Sequence, residues 1–292
     1  MGNKGKTFFA IALASAFALV LAGCVSVTQG VDGNLSVQNL SIVVQAPNVS
    51  LPVLAGNLSI TIASAPDNLT VCVVGLKTQA SEELFSGNFT YASRNFSYHP
   101  EFYDGYATLG ECNLLVFKGD EMGEFVGREQ RIYAAKAVSD GVSLLFSKKA
   151  FFKVKADTAV DGWAFLVEGL IPVQTGAAGH ELVEPREKTV SRRFEFRNYY
   201  DIWEGFKNFD VENLNITETL QSDDALVVAD FSSTPTAASD VAITAKQSTA
   251  LSGRVLYFAF DAFDSQDAKF QGISKQAVLF LLQDFLGKRF IV

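Results

Sequence analysis

Two apolar runs without polar alternation constrain the fold of this 292-residue chain more than any other feature. Residues 69–76 read Leu-Thr-Val-Cys-Val-Val-Gly-Leu, and residues 114–117 read Leu-Leu-Val-Phe. A strand with one solvated face alternates between apolar and polar residues, whereas a strand buried on both faces does not. The runs therefore predict a parallel sheet covered by helices on both sides.

The residues after the second run predict a crossover unit. A helix is expected at 128–138 and a third buried strand at 142–146, and parallel neighbours need such a helix between them. The second half of the chain predicts further strands and one long helix that Gly287 ends. The strands are expected at 214–219, 225–231, 241–246 and 253–261, and the helix at 274–286.

The N-terminus has the order of a secretory signal. A basic stretch at 1–6 precedes an apolar block at 7–21, and Leu21-Ala-Gly-Cys24 follows. A small-residue pair directly before cysteine resembles the lipobox of bacterial and some archaeal lipoproteins. The resemblance implies that 1–23 is a signal peptide and that Cys24 carries a diacylglyceryl group. Ordinary cleavage near Gly23 and an uncleaved membrane anchor are the alternatives.

No later segment is long and apolar enough to span a bilayer, so the remainder is expected outside the cytoplasm, anchored to the outer face of the cytoplasmic membrane. A diacyl group holds a protein there without a basic patch. Removal of Lys4 and Lys6 leaves 22 of the 24 basic residues against 32 acidic ones, a formal charge of −10. This charge repels nucleic acid, so no nucleic-acid partner is expected.

Eight asparagines fit the glycosylation sequon Asn-x-Ser/Thr, whereas chance would give about two. They are Asn34, Asn39, Asn48, Asn57, Asn68, Asn88, Asn95 and Asn215. Glycans on the first seven would cover one region of the protein. A Ser/Asn-rich loop composition that imitates acceptors is the alternative. The sequons and the lipobox together favour an archaeal-type surface protein.

Residues 24–66 predict a glycosylated, Ser/Asn-rich stalk with short strands, below a domain at 67–292. Cys72 and Cys112 offer one possible disulfide in an oxidising compartment, and two buried free thiols are the alternative.

Three stretches resemble the class I glutamine amidotransferase-like domain, in a degenerate form found in exported proteins. They are Cys112-Asn-Leu-Leu-Val-Phe-Lys-Gly-Asp120, the end of the predicted helix with its strand at 137–147, and Ser252-Gly-Arg-Val-Leu-Tyr-Phe-Ala-Phe-Asp261. The resemblance covers about 69–287. It implies an α/β fold with a flavodoxin-like, doubly wound, mostly parallel sheet and antiparallel additions.

The catalytic residues of that family have no counterparts in matching positions. Members carry a cysteine on a sharp turn after the third strand and a late His-x-Glu pair. Here the turn is Ser147-Lys148-Lys149 without flanking glycines, Cys112 starts a strand, and His180 is followed directly by Glu181. No catalytic residue is therefore predicted, although Ser147 with His180 and Glu121 is a conceivable triad.

Ligands of doubly wound folds bind at the carboxyl ends of central strands. A ligand crevice is therefore predicted at Lys118, Asp120, Glu121 and Ser147, and a charged turn is the alternative. Asp261, Asp264 and Asp267 could collect calcium, but their spacing is not that of an EF-hand and favours a solvated turn.

The aromatic residues 199–203, with Trp163 and Phe206, could line a sugar-binding face, but core packing is favoured. The histidines and cysteines lack zinc-ligand spacing, so no metal and no cofactor are expected.

Three functions are consistent with these features. The leading hypothesis is a non-enzymatic, lipid-anchored surface glycoprotein whose domain binds other envelope or transporter proteins or glycans. The second is an extracytoplasmic hydrolase or carbohydrate-active enzyme that uses Asp120 and Glu121. The third is a purely structural envelope glycoprotein without a pocket at the strand ends.

Overall fold

The computed structural model describes residues 65–118, 126–155, 170–174, 184–197, 203, 206–222, 224–232 and 241–290. They fall in a compact unit that spans Ala65–Phe290, and residues 1–64 lie outside the described part of the chain. The predicted signal peptide, the stalk and Cys24 therefore lie outside the described part of the chain. The same holds for Asn34, Asn39, Asn48 and Asn57.

Ten strands of the described residues form one sheet in the order β2-β3-β1-β4-β5-β12-β11-β10-β7-β8. Their bounds are β1 (Asn68–Val74), β2 (Gly87–Tyr91), β3 (Arg94–Tyr103), β4 (Leu114–Phe117), β5 (Ser143–Ser147), β7 (Glu187–Phe196), β8 (Phe209–Thr217), β10 (Leu226–Ser232), β11 (Val241–Lys246) and β12 (Val255–Phe258). Two short strands, β6 (Val173–Gln174) and β9 (Leu220–Gln221), form a separate antiparallel pair.

The five central strands β3, β1, β4, β5 and β12 are parallel. Numbered among themselves in chain order, they lie as 2-1-3-4-5, which is the flavodoxin-like order. Antiparallel strands extend the sheet on both sides, with β2 beyond β3 and with β11, β10, β7 and β8 beyond β12. The predicted fold class is confirmed, and the antiparallel additions make up half of the ten strands.

The described part of the chain contains four helices beside these strands. They are α1 (Gln79–Leu84), α2 (Arg128–Ser139), α3 (Ala150–Lys155) and α4 (Ala268–Arg289). None of the described helices combines the length and the apolar character needed to cross a bilayer.

The helices cover both faces of the sheet, because consecutive residues of a strand point to opposite faces. On β12, Tyr257 packs edge-on against Phe151 of α3, with ring centroids 5.3 Å apart. The next residue, Phe258, packs against Phe263, which in turn contacts Phe85 at the end of α1. Since β4, β5 and β12 lie between these layers, all of their residues are buried, as their continuous apolar sequences predict.

Helix α4 is longer than the prediction of 274–286. The Asp267 side chain caps its first turn by accepting a hydrogen bond from the Lys269 backbone N–H at 2.7 Å, which is a common helix start. Gly287 lies inside the helix, where an added Cβ would stand 2.9 Å from the Tyr91 hydroxyl. The prediction that Gly287 ends the helix is wrong, because this glycine instead makes room for β2.

Candidate functional site

The candidate site lies where the order of the parallel strands reverses, between β1 and β4. Doubly wound folds bind ligands outside the carboxyl ends of the strands at this point. Gly75 follows β1 directly, and Lys118 follows β4 directly. The Lys118 backbone N–H donates to the Val74 carbonyl at 3.0 Å, so the two strand ends lie side by side.

The side chain of Lys118 fills this crevice and is only 2% exposed. Its Nζ donates to the Leu76 carbonyl at 2.7 Å and lies 3.4 Å from Ser81 Oγ. Both carboxylate oxygens of Asp264 are close to Nζ, at 2.8 and 3.1 Å. A buried ammonium requires an opposite charge and hydrogen-bond acceptors, and the crevice supplies both.

Asp264 is joined in turn to the start of α1. The Thr78 hydroxyl donates to the Asp264 carboxylate, and Thr78 forms a capping box with Ser81 at the first turn of the helix. We call Lys118, Asp264, Thr78 and Ser81 the Lys118 cluster. Its polar groups bond to one another, so they tie β4, α1 and the loop after β12 together.

Gly75 is required for this arrangement. Its φ of +142° is in a region that residues with a Cβ rarely adopt, and an added Cβ would stand 2.8 Å from the Cβ of Lys118. Only glycine combines that conformation with that close approach. Gly75, near the end of the apolar run 69–76, is therefore the residue by which the sequence indicates that another side chain crosses the end of β1.

The turn after β5 passes directly from strand to helix, although it contains no glycine. Lys148 adopts a positive φ of +49°, its backbone N–H donates to the Phe258 carbonyl at 2.8 Å, and α3 begins two residues later. The strained residue of the turn is thus a lysine. Ser147 is only 2% exposed, so the predicted crevice serine is buried in the sheet. Lys149 pairs with Glu184 at 3.0 Å.

The remaining members of the predicted crevice and triad, Asp120, Glu121 and His180, lie outside the described residues. The structure therefore does not place the conceivable triad. His99 is exposed on β3. Among the described residues, no group of three His, Cys, Asp or Glu side chains is arranged to hold a metal ion.

Asp261, Asp264 and Asp267 bind groups of this chain: two accept from backbone N–H groups, and one pairs with a lysine. Asp261 accepts from the Asp264 backbone N–H at 3.0 Å, and Asp267 caps α4. Asp264 pairs with Lys118. The expectation of a solvated turn is wrong for Asp264, because its partner arrives from a distant strand.

Trp203 belongs to the core, as the favoured interpretation of the aromatic group predicts. It is 5% exposed, its Nε1 donates to the Ile273 carbonyl at 3.2 Å, and its ring lies 5.9 Å from that of Phe196. Phe206 lies beside the same Phe196 ring and is partly exposed. Trp163 and residues 199–202 lie outside the described residues.

Cys72 and Cys112 form a disulfide, with Cα atoms 5.5 Å apart and a sequence separation of 40. Both residues are buried. The bond links β1 to the residues just before β4, and the Cys112 backbone N–H also donates to the Tyr133 hydroxyl at 3.1 Å. The disulfide therefore links the interior of β1 to the segment just before β4, in the same two strands whose carboxyl ends carry the Lys118 cluster.

Three sequon asparagines share one exposed face at the outer end of the sheet. Asn68 of β1 and Asn88 of β2 both lie opposite Ser97 of β3, and Asn95 lies opposite Thr90. Residues i and i+2 of a strand point to the same face, so each asparagine shares this face with the hydroxyl residue of its own sequon. Thr90 donates to the Asn95 side-chain oxygen at 2.8 Å. The fourth described sequon, Asn215 of β8, is also exposed.

A cleft of about 300 Å³ lies beside the Lys118 cluster, between α1 and the first half of α4. Phe263, Leu84 and Lys275 contribute to its wall. Lys275 Nζ donates to the carbonyls of Leu84 at 3.0 Å and Ser86 at 2.6 Å. Burial lowers the pKa of Lys275. Lys275 therefore binds the backbone carbonyls at the C-terminal end of α1.

No family model matches the sequence, and no curated protein matches it. Solved structures with a similar chain trace include a cytoplasmic protein from Salmonella typhimurium, which is 10% identical, with 73% of this chain and 99% of the other covered and a TM-score of 0.48. PurLQS from Thermotoga maritima is 14% identical over 75% of this chain and 99% of the other, with a TM-score of 0.46. A glutamine amidotransferase from Thermotoga maritima is 10% identical over 76% of this chain and 97% of the other, with a TM-score of 0.37. At these values the likenesses carry no functional argument.

Proposed function

We propose that this chain is a lipid-anchored, glycosylated surface protein whose α/β domain is a non-catalytic module that binds envelope or transporter proteins or glycans. The lipid on Cys24 holds it to the outer face of the cytoplasmic membrane, and the domain acts outside the cell. The observation that carries the non-catalytic part is the Lys118 cluster.

The Lys118 cluster occupies the position where a doubly wound fold otherwise binds a ligand. Each hydrogen of the Lys118 ammonium has a protein acceptor available, from Leu76, Ser81 or Asp264. A substrate at the ends of β1 and β4 would have to displace a buried ion pair, and breaking such a pair costs about 3–5 kcal/mol. Ser147, the hydroxyl nearest the matching turn, is buried. The filled crevice and the buried Ser147 therefore argue against hydrolysis at this position.

The disulfide and the sequons support the proposed location. Structural disulfides persist in oxidising compartments outside the cytoplasm, and the bond between Cys72 and Cys112 is buried in the core. All four described sequon asparagines are exposed, as acceptors of bulky glycans must be.

Turnover measurements on the full chain test the non-catalytic part. The full chain would be assayed against glutamine and simple ester, amide and glycoside substrates, and no turnover is expected. Activity that disappears in Ser147→Ala but persists in the exposed-serine control Ser139→Ala would overturn the proposal. Activity that disappears in Asp120→Asn, with unchanged folding, would favour the hydrolase alternative.

The anchor is tested by the mass of the mature N-terminus. A chain that begins at Cys24 and carries a diacylglyceryl mass is expected, with membrane association lost in Cys24→Ser. An unmodified chain that begins at another residue would contradict the proposed anchor.

A further inference from the structure

Strands β2 and β8 are the two edges of the ten-stranded sheet. The end of β8 is joined on its outer side to the residues after β12, by a bridge between Ile216 and Phe260 and by the Thr217 N–H, which donates to the Ala259 carbonyl at 2.7 Å. Within the described ranges no strand pairs with the outer side of β2. Each edge strand carries one exposed sequon asparagine, Asn88 on β2 and Asn215 on β8. An open edge presents unpaired N–H and C=O groups, which can pair with a strand of another molecule. Natural proteins therefore cover, charge or distort such edges to avoid self-association.

The two edges differ in how their own residues protect them. Strand β8 carries Asp210 and Glu212, its register with β7 shifts near Arg192, and Asn213 adopts a positive φ of +50°. Edge charges and an irregular ladder both oppose pairing with another strand. Strand β2 reads Gly-Asn-Phe-Thr-Tyr, without a charge or a proline, and its pairing with β3 has no register shift.

The orientation of β2 places its sequon on the solvent side. Phe89 stacks on Phe96 of β3, with ring centroids 5.5 Å apart, and the Tyr91 hydroxyl lies against Gly287 of α4. Because alternate residues point to opposite faces, Asn88 and Thr90 face away from this packing, and both are exposed. A glycan on Asn88 would therefore stand beside the outer edge of β2, to which no described strand is paired, and not inside the core.

We propose that an N-linked glycan on Asn88 keeps the β2 edge from pairing with the β2 edge of a second copy of this chain. The charges of Asp210 and Glu212 and the register shift near Arg192 protect β8 without a glycan on Asn215. A second strand must approach to about 4.8 Å to form a ladder, and a bulky hydrated oligosaccharide at the second of five edge residues prevents that approach. The inference rests on the export and glycosylation in the proposed function.

The test compares single-sequon variants of the full chain in detergent, by size-exclusion chromatography with light scattering that subtracts the detergent. Asn88→Gln is expected to self-associate at a concentration at least about tenfold lower than the wild-type chain, which corresponds to about 1.4 kcal/mol. Asn95→Gln, which removes a glycan from the same face one strand further in, and Asn215→Gln are the matched controls. Both should stay within about twofold of the wild type. An Asn88→Gln chain that stays as monomeric as these controls would overturn the inference.

A second variant separates edge protection from any other effect of the glycan. Asn88→Lys also lacks the glycan but places a charge on the edge, so it is expected to remain monomeric. Self-association of Asn88→Lys equal to that of Asn88→Gln would overturn the inference. An unmodified Asn88 in the wild-type glycopeptide would also overturn it while leaving the anchor proposal intact. Absence of lipid on Cys24 would contradict the proposed function without affecting the glycan result.

Discussion

Strand β1 begins in an open environment and ends in a closed one. At its start, Asn68 lies on the exposed face shared with Asn88 and Asn95. At its end, Gly75 lies against the buried Lys118, whose charge is paired with Asp264. Both ends carry polar groups, but only those at the start face solvent. Burial and pairing therefore decide which polar groups of the sheet remain available for modification or binding.

Single substitutions at the end of β1 that carries the Lys118 cluster should reduce the free energy of unfolding most. Lys118→Ala leaves Asp264 without its cation, and breaking a buried pair costs about 3–5 kcal/mol. Because Asp264 retains 19% side-chain exposure, a loss of about 3–4 kcal/mol in the free energy of unfolding is expected by urea denaturation. Lys77→Ala is the matched control, since the Lys77–Glu82 pair is well exposed and should contribute less than about 1 kcal/mol. Equal effects of the two variants would show that the Lys118 cluster is not a structural tie.

Removal of the disulfide should weaken the link between β1 and the segment just before β4. A double Cys72→Ala, Cys112→Ala variant is expected to lose about 4 kcal/mol, because the bond closes a loop with a sequence separation of 40. Reductant should shift the denaturation midpoint of the wild-type chain and leave the double variant unchanged. A reductant-insensitive wild-type midpoint would contradict the structural role of this bond.

Tyr98 lies on β3, on the face opposite the exposed sequon asparagines. Its ionisation should make the free energy of unfolding depend on pH in the alkaline range. Burial raises the pKa of Tyr98 from 10.0 to about 12. A folded pKa above the unfolded one stabilises the protein fully below pH 10, and this stabilisation is lost as the pH rises toward 12. About 2 kcal/mol should disappear across this window.

Tyr98→Phe should remove this part of the pH dependence, as measured by urea denaturation between pH 9 and about 12. Tyr106→Phe is the control, since Tyr106 is 73% exposed and should leave the profile of the wild-type chain unchanged. An identical profile for Tyr98→Phe and the wild type would contradict the assignment.

Substitutions on the exposed face that carries Asn68, Asn88 and Asn95 should change the free energy of unfolding least. Asn95→Gln keeps an amide at an exposed position, so its free energy of unfolding should differ from that of the wild-type chain by less than about 0.5 kcal/mol. The comparison is made on the non-glycosylated full chain, so that only the side chain changes. A loss above about 2 kcal/mol would place Asn95 in a structural network like that of Lys118 and remove the contrast between the two ends.

Elements with a strong local pattern could be predicted from the sequence. The strand at 114–117 and the helix from Arg128 have the bounds or the start that the apolar pattern predicts, and β11 spans 241–246 as expected. Strands β2 and β3 were not predicted, although Phe89 and Phe96 alternate with polar residues, because their frequent sequons resemble loop composition. Helix α4 was predicted too short, since its start depends on a side-chain cap at Asp267.

The candidate site was predictable only in part. Lys118 was identified because it follows a buried strand, and the end of such a strand faces the ligand crevice of this fold class. Its partner was not, because Asp264 lies 146 residues away and no local pattern marks a carboxylate that will be paired. Ser147 was predicted as a crevice residue on the same ground, but the structure buries it, because the turn at Lys148 begins one residue later.

The sequence by itself determined that a buried parallel sheet forms, where its central strands lie and which asparagines have the acceptor pattern, because these features depend on residues a few positions apart. Only the tertiary structure decided that Lys118 meets Asp264, that Cys72 meets Cys112, and that Asn88 lies on the outermost of the described strands. Those outcomes depend on strand order and register, which bring distant residues together and cannot be read from local periodicity.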